Sequence, residues 1–270
     1  MAELVSTASL YGHYLGISIR SQMQYRASFA MLSLATLLTS ALEFLTTWAL
    51  FARFGSLAGW TLAEAATLYG IVNLAFALAE AMARGFDEFA IMIRSGTFDR
   101  LLLRPRGTAL QVAGSHIQLL RVGRLTQGLI VFIWATRALA VSWTWQRIGL
   151  CLAAIAGGAA LFSGLMVLQA TFAFWSTESL EIFNTVTYGG VETTQYPLSI
   201  YRKEFRQFFT YIVPLATVTY YPALAILGRT DPLGSSLTFQ YGAPLFGFVF
   251  LVVSLQIWKI GVRHYHSTGS

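Results

Sequence analysis

The chain has 270 residues, of which 56% are hydrophobic and 11% are charged. A soluble domain carries about 25% charged residues, so this composition excludes a chain that covers itself with a water-facing surface. The net charge is +6, and the lone cysteine, Cys151, excludes both an intramolecular disulfide and a paired-cysteine metal site.

The first 26 residues predict an amphipathic helix that lies in the membrane interface. Leu10, Tyr14 and Ile17 fall on one side, while Arg20 and several polar residues occupy the others. The alternative is a frayed tail. The same polar residues argue against an apolar signal-peptide core.

Six apolar runs follow, each close to the roughly 20 residues that a helix needs to cross a bilayer. They predict an all-α polytopic membrane protein, with residues 27–270 as a single transmembrane domain. The runs are Ala27–Ala52, Leu62–Ala83, Leu125–Val141, Ile148–Trp175, Phe208–Leu227 and Tyr241–Trp258.

The basic residues fall mainly on one side of these runs. With a cytoplasmic N-terminus, fourteen of the eighteen Lys and Arg residues lie in inner connections and four in outer ones. This is the asymmetry of the positive-inside rule. It predicts that both termini are cytoplasmic, and it assigns the basic excess to topology rather than to nucleic-acid binding.

Two cytoplasmic loops are expected, at 84–124 and 176–207. The first contains a short amphipathic helix ending near Arg94, with Phe86, Phe89 and Ile93 on its apolar face. Gly96 marks its C-terminal break. A plain connection between bundle helices needs only about 2–8 residues, so this longer one indicates a docking element.

Catalytic and metal-binding motifs are missing. The sequence contains no phosphate-binding GxxxxGK[ST] loop, no HExxH and no nucleophile elbow. The polar residues inside the apolar runs that suit a substrate path are Glu43, Asn73 and Gln169. Glu43 is the deepest acid, and Asn73 and Gln169 have helix–helix bonding as an alternative role.

Three segments resemble the ABC-2 family of membrane permeases, more narrowly its short six-helix bacterial exporter subunits. They are IRSGTFDRLLLRP at 93–105, YPLSIY at 196–201 and VPLATVTYYPALAILG at 213–228. The resemblance implies an N-terminal elbow helix, six transmembrane helices and a cytoplasmic coupling helix at Phe86–Arg94. It also implies residence in the bacterial inner membrane, and members of this subgroup are associated with export of organic cations such as viologens.

The resemblance further implies that the chain is a non-catalytic permease that works with a second permease, the same chain or a paralogue. Two separate ATPase subunits would bind ATP and Mg. Phe86, Phe89 and Ile93 would then contact the ATPase, and Arg94, Arg100 and Arg104 would orient that contact or bind anionic membrane lipids.

Other functional classes stay open. An ion-coupled secondary carrier would use Glu43 and work without ATP. A membrane-embedded enzyme would need reactive groups clustered at one depth, which the sequence does not suggest. A structural or receptor-like subunit would show no turnover with any ATPase.

Overall fold

The computed structural model describes residues 2–116, 122–176 and 180–265. These residues are helical and contain no strand beyond an isolated bridge between Leu57 and Trp60. The helices are α1 (Ala2–Met23), α2 (Arg26–Phe54), α3 (Leu62–Asp87), α4 (Phe89–Arg94), α5 (Thr97–Leu102), α6 (Thr108–Ser115), α7 (Val122–Ala138), α8 (Trp145–Phe172), α9 (Leu180–Thr194), α10 (Lys203–Gln207), α11 (Leu215–Val218), α12 (Tyr220–Leu227), α13 (Leu237–Gly242) and α14 (Leu245–Arg263). A π-helical turn, Phe208–Ile212, follows α10.

Four of the described helices are long and apolar enough to cross a membrane: α2, α3 continued into α4, α8 and α14. A fifth would be added if the helices on either side of Val213 formed one span. The third expected crossing is the 17-residue α7. The expectation of an all-α, multi-pass membrane protein is therefore confirmed at this level.

Local sequence signals set several of these boundaries. Thr61 and Glu64 form a reciprocal capping box at the start of α3, with the Thr61 amide 2.8 Å from the Glu64 carboxylate. The Thr144 hydroxyl caps α8 by accepting from the Arg147 amide. Gly228, with φ of 67°, ends α12 in the left-handed region that glycine tolerates.

The core lies between α3 and α8, and α2 is the most exposed of the long helices. Where α8 meets α14, the carbonyl of Gly157 lies so close to Gly247 that a side chain there would collide with it. Small residues of this kind let membrane helices approach closely. In contrast, α2 has only three buried residues.

We call the end of the bundle that holds residues 55–61 the outer end, and the end that holds 88–107 the inner end. Helix α9 passes between them, which corrects the loop expected at 176–207. Near its start, Phe183 packs on Phe172 at the inner end of α8, with ring centroids 4.5 Å apart. Just beyond its last turn, the Tyr196 hydroxyl lies 3.3 Å from that of Thr47, in the outer part of α2.

The expected fifth crossing, Phe208–Leu227, is not one straight helix. The helices before and after Val213 are bent by 73°. Leu198, which precedes them, and Ile226, at their close, belong to one hydrophobic cluster with Trp60 at the outer end. Between these points Leu215 reaches Gly190 on α9. The segment therefore enters the bundle from the outer end and returns to it.

This path changes the expected charge distribution. Tyr201 packs on the cluster that contains Trp60, and its ring lies 4.8 Å from that of Phe205 in α10. Three of the fourteen expected inner basic residues, Arg202, Lys203 and Arg206, therefore lie toward the outer end. The basic excess at the inner end is smaller than the sequence predicted. Residues 117–121, which fall within the expected loop 84–124, lie outside the described residues.

Candidate functional site

Three charged side chains meet near the middle of the bundle, and we call Glu43, Arg124 and Glu192 the central charge cluster. An Arg124 guanidinium nitrogen lies 3.3 Å and 3.4 Å from the two carboxylate oxygens of Glu43. The same guanidinium lies 5.3 Å from the ring centroid of Phe76, near the midpoint of α3. Glu192 on α9 is exposed and within electrostatic range of both charges. Two carboxylates thus share one cation.

Uncharged polar groups continue this cluster into the protein. The Tyr69 hydroxyl donates to the Ser40 carbonyl at 3.1 Å and lies 3.4 Å from Oε1 of Gln127. Asn73, fully buried, donates to the Tyr69 carbonyl at 3.0 Å. Gln127 Nε2 and Asn73 Oδ1 are buried without a hydrogen-bond partner among the described residues. The site thus offers one donor and one acceptor that the fold does not use.

A second polar group lies toward the inner end, and we call Glu80, Arg84, Asp87, Tyr188 and Gln169 the Arg84 network. Arg84 contacts Asp87 at 2.7 Å, Glu80 at 3.5 Å and the Tyr188 hydroxyl at 3.1 Å. Asp87 also accepts from Gln169 at 3.1 Å and from Tyr188 at 3.2 Å. The network joins α3 to both α8 and α9.

The Arg84 network extends to the surface at its inner edge. Glu88 lies 3.7 Å from Arg84 and 3.3 Å from His116 Nε2. One arginine therefore faces three carboxylates. Breaking a buried arrangement of this kind is costly because it leaves a charge without a partner.

The expected substrate-path residues are thus divided between two places. Glu43 belongs to the central charge cluster, and Asn73 is linked to it through Tyr69. Gln169 belongs to the Arg84 network instead, because its amide bonds Asp87. Gln169 is buried at 2% exposure. The structure does not bring the three together.

The expected coupling side chains Phe86, Phe89 and Ile93 all lie inside the protein's own core, at 4%, 0% and 8% exposure. The Phe89 ring packs 4.9 Å from Trp258 and 5.0 Å from Phe98, both edge-to-face. These three side chains therefore pack within the chain itself, and their expected contact with an ATPase stays a prediction. We call Phe86, Phe89, Phe98, Phe174 and Trp258 the aromatic anchor.

The C-terminal segment completes this anchor. Tyr265 packs 5.1 Å from Phe98 and 5.8 Å from Phe174. Burial raises the pKa of the Tyr265 phenol, and the neighbouring Asp99 carboxylate raises it further. The phenol is therefore neutral at ordinary pH, which suits its place among the rings.

The outward side of α4 and α5 presents a different set of residues. Ile91 is 64% exposed and Leu103 is 85% exposed. The expected orienting residues Arg94, Arg100 and Arg104 are exposed beside them. We call these five residues the docking face. It combines apolar side chains with a surrounding positive charge.

No pattern in the sequence marks Arg124, Arg84, Tyr188 or Glu192 as site residues. Each lies next to a carboxylate or hydroxyl brought by a helix distant in the chain; the Glu43–Arg124 pair spans 81 positions. An arginine beside an apolar run is interpreted as an indicator of which side of the membrane the connection lies on. The one available signal was the presence of an acid, Glu43, deep in an apolar run.

No group of three or more metal-ligating side chains occurs among the residues that the structure describes. In comparison with known proteins, residues 37–269 match the family described as ABC-2 family transporter protein. Neither the curated proteins nor the solved structures gave a match. The matched range covers most of the chain, including the central charge cluster, the Arg84 network and the docking face. The chain is a multi-pass membrane protein that belongs to the ABC-2 transporter family.

Proposed function

We propose that this chain is the transmembrane permease subunit of an ATP-binding cassette exporter in the bacterial inner membrane. It pairs with a second permease, and two separate ATPase subunits bind ATP and Mg. Six membrane segments, α2, α3, α7, α8, α9 and α14, leave both termini cytoplasmic. Residues 203–227 form a re-entrant element on the outer side.

The docking face is the single observation that carries this proposal beyond family membership. Its apolar residues Ile91 and Leu103 stand out from short helices whose inner sides are fixed by the aromatic anchor. Exposed apolar side chains in a charged surround are typical of a protein contact. The basic residues Arg94, Arg100 and Arg104 suit an acidic groove rim.

A force on this face has a short path into the bundle. Only Glu88 separates α3 from α4, so displacement of α4 acts on the inner end of α3. The Arg84 network then links α3 to α8 and α9 through Gln169 and Tyr188. Rigid helices joined by such contacts move as units, as a two-state transporter requires. We therefore assign Gln169 to coupling rather than to cargo.

The central charge cluster is the proposed substrate path. The cluster contains two carboxylates, Glu43 and Glu192, and one cation, Arg124. Glu192 is exposed on α9. Ionisable residues at this depth face a water-filled cavity or a protein partner, because lipid disfavours them. The buried amides of Asn73 and Gln127 supply further polar contacts.

The test is purification of the complex from its native membrane in mild detergent, followed by mass spectrometry and an ATPase assay. The wild type should bring down a P-loop ATPase in fixed stoichiometry. Leu103→Glu should lose it, while Leu233→Glu, a matched change in an outer turn, should retain it.

A chain that purifies alone and transports without ATP would overturn the proposal. In that case the secondary-carrier alternative predicts that Glu43→Gln abolishes transport. In the exporter, Glu43→Gln is expected to change cargo preference while nucleotide hydrolysis continues.

A further inference from the structure

A large cavity opens sideways at the inner end of the bundle, apart from the charged sites described above. Its volume is about 680 Å³, within the roughly 300–1,000 Å³ of ligand sites. Its walls come from α1, α3, α6, α8 and α14. Val252, 56% exposed, and Met82, 50% exposed, lie at its lateral opening.

The lining is almost entirely hydrocarbon. Leu110, Ala113, Val167 and Leu251 are typical of it. A water molecule in a protein site needs about 2–4 polar partners, which walls of this kind do not supply. The interior is therefore suited to an alkyl chain.

One exposed cation stands at the mouth. Lys259 lines the cavity, and its Nζ donates to Oε1 of Gln256 at 3.2 Å. No carboxylate is among the lining residues, so the lysine charge is not neutralised there. Arg263 follows one turn later at the end of α14. A cation at the head of an apolar slot is complementary to a molecule with an anionic head and an apolar tail.

The amphipathic first helix forms one wall. Tyr11 of α1 donates to the carbonyl of Met82 at 2.8 Å, which ties that helix to the inner end of α3. Amphipathic helices of this type lie at the depth where lipid headgroups meet their chains. The cavity mouth is thus at headgroup depth, with its apolar interior alongside the chain region.

We propose that this cavity is a binding site for an anionic glycerophospholipid, with one acyl chain inside it and the phosphate on Lys259. Basic pockets between membrane helices on the cytoplasmic side bind such headgroups. The proposal does not depend on an ATPase partner or on the nature of the cargo.

The site also touches the element that holds the docking face. Phe86 and Trp258 line the cavity and belong to the aromatic anchor. The indole of Trp258 donates to the Thr108 hydroxyl at 3.0 Å, which fixes the start of α6 at the mouth. A bound acyl chain therefore packs against the anchor and stabilises it.

Native mass spectrometry of the full chain in mild detergent tests the proposal, with phosphatidylglycerol and phosphatidylcholine titrated separately. The wild type should retain phosphatidylglycerol more tightly. Val252→Trp, which obstructs the opening from an exposed position, should weaken its retention at least about tenfold. Val253→Trp, on the next exposed position outside the cavity, is the matched control.

Lysine variants test the headgroup separately. Lys259→Gln should bind phosphatidylglycerol about fivefold more weakly, the change expected on losing one cation near an anionic lipid. Lys203→Gln, which alters the only other lysine, should bind as the wild type does.

Three results would overturn the proposal. One is equal retention of the two lipids by the wild type, and a second is equal retention of phosphatidylglycerol by Val252→Trp and Val253→Trp. Displacement of the lipid by transported cargo would also count against it, because the cavity would then belong to the substrate path.

Discussion

Replacing Phe89 by alanine tests whether its side chain stabilises the core or contacts a partner. The ring is fully buried and packs edge-to-face on three neighbours, with centroids 4.9–5.1 Å away. Removing a buried phenylalanine costs about 3–5 kcal/mol of stability. We expect that loss to fall on the packing of α4 and α5. Ile91→Ala, at an exposed position of the same helix, should cost less than about 0.5 kcal/mol.

Limited trypsin digestion measures this effect at the exposed Arg94 and Arg100, since trypsin does not cleave the bond between Arg104 and Pro105. Cleavage within a folded helix follows the population of its opened form when opening and reclosing are fast. A loss of 3 kcal/mol raises that population by roughly 100-fold or more, so Phe89→Ala should be cut correspondingly faster. Cys151 is buried in α8, so labelling of its thiol during heating measures unfolding of the bundle separately.

The opposite pattern would refute this reasoning. If Phe89→Ala is cut at the wild-type rate but no longer retains an ATPase, the ring contacts the partner directly. If Leu103→Glu is cut faster than the wild type, the docking face is part of the core.

Three further predictions concern packing and charge. Arg124→Met should destabilise the protein more than the double variant Arg124→Met with Glu43→Leu does, because the single change leaves a carboxylate unpaired. Labelling of the Cys151 thiol during heating should give a coupling free energy between the two positions of about 1–3 kcal/mol in a double-mutant cycle. Additive effects of the two changes would contradict the ion pair. Gly247→Leu should lower the melting temperature, whereas Gly149→Leu, with open space around it, should not; equal melting of the two would disprove the close α8–α14 contact. Arg229→Gln should cost about 1–2 kcal/mol because it breaks a 2.6 Å charged contact at the outer end, and an unchanged melting temperature would show that the contact adds nothing.

The sequence alone predicted the helices whose apolar runs are long and uninterrupted. Helices α2, α3, α8 and α14 follow such runs, and the family resemblance was confirmed by the match over residues 37–269. These segments are specified locally, because lipid requires each one to satisfy its own backbone.

Helix α9 was missed because its composition is mixed. Thr185, Tyr188 and Glu192 interrupt its apolar residues, and Pro197 follows it. Its polar groups are matched by Arg84 and Asp87 from α3, which only the folded bundle brings near. Hydropathy along the chain does not contain that information.

The coupling residues show a different limit. The apolar stripe at Phe86, Phe89 and Ile93 was interpreted as the face that contacts an ATPase, whereas in the structure it packs within the chain. The pattern does not say what covers it, and here Trp258, more than 160 positions away from Phe89, supplies the cover. Exposure of Ile91 and Leu103 became evident only once that packing was known.

The reliance of Glu43 on Arg124 has a consequence for how the chain is made. The acid emerges from the ribosome 81 residues before its cation. At a synthesis rate of roughly 5–20 residues per second, the Glu43 carboxylate of α2 has no arginine partner for about 4–16 s. During that interval the insertion machinery must hold the helix where its carboxylate has polar surroundings. Truncated nascent chains ending before and after residue 124 should therefore differ in how firmly α2 is released into the bilayer.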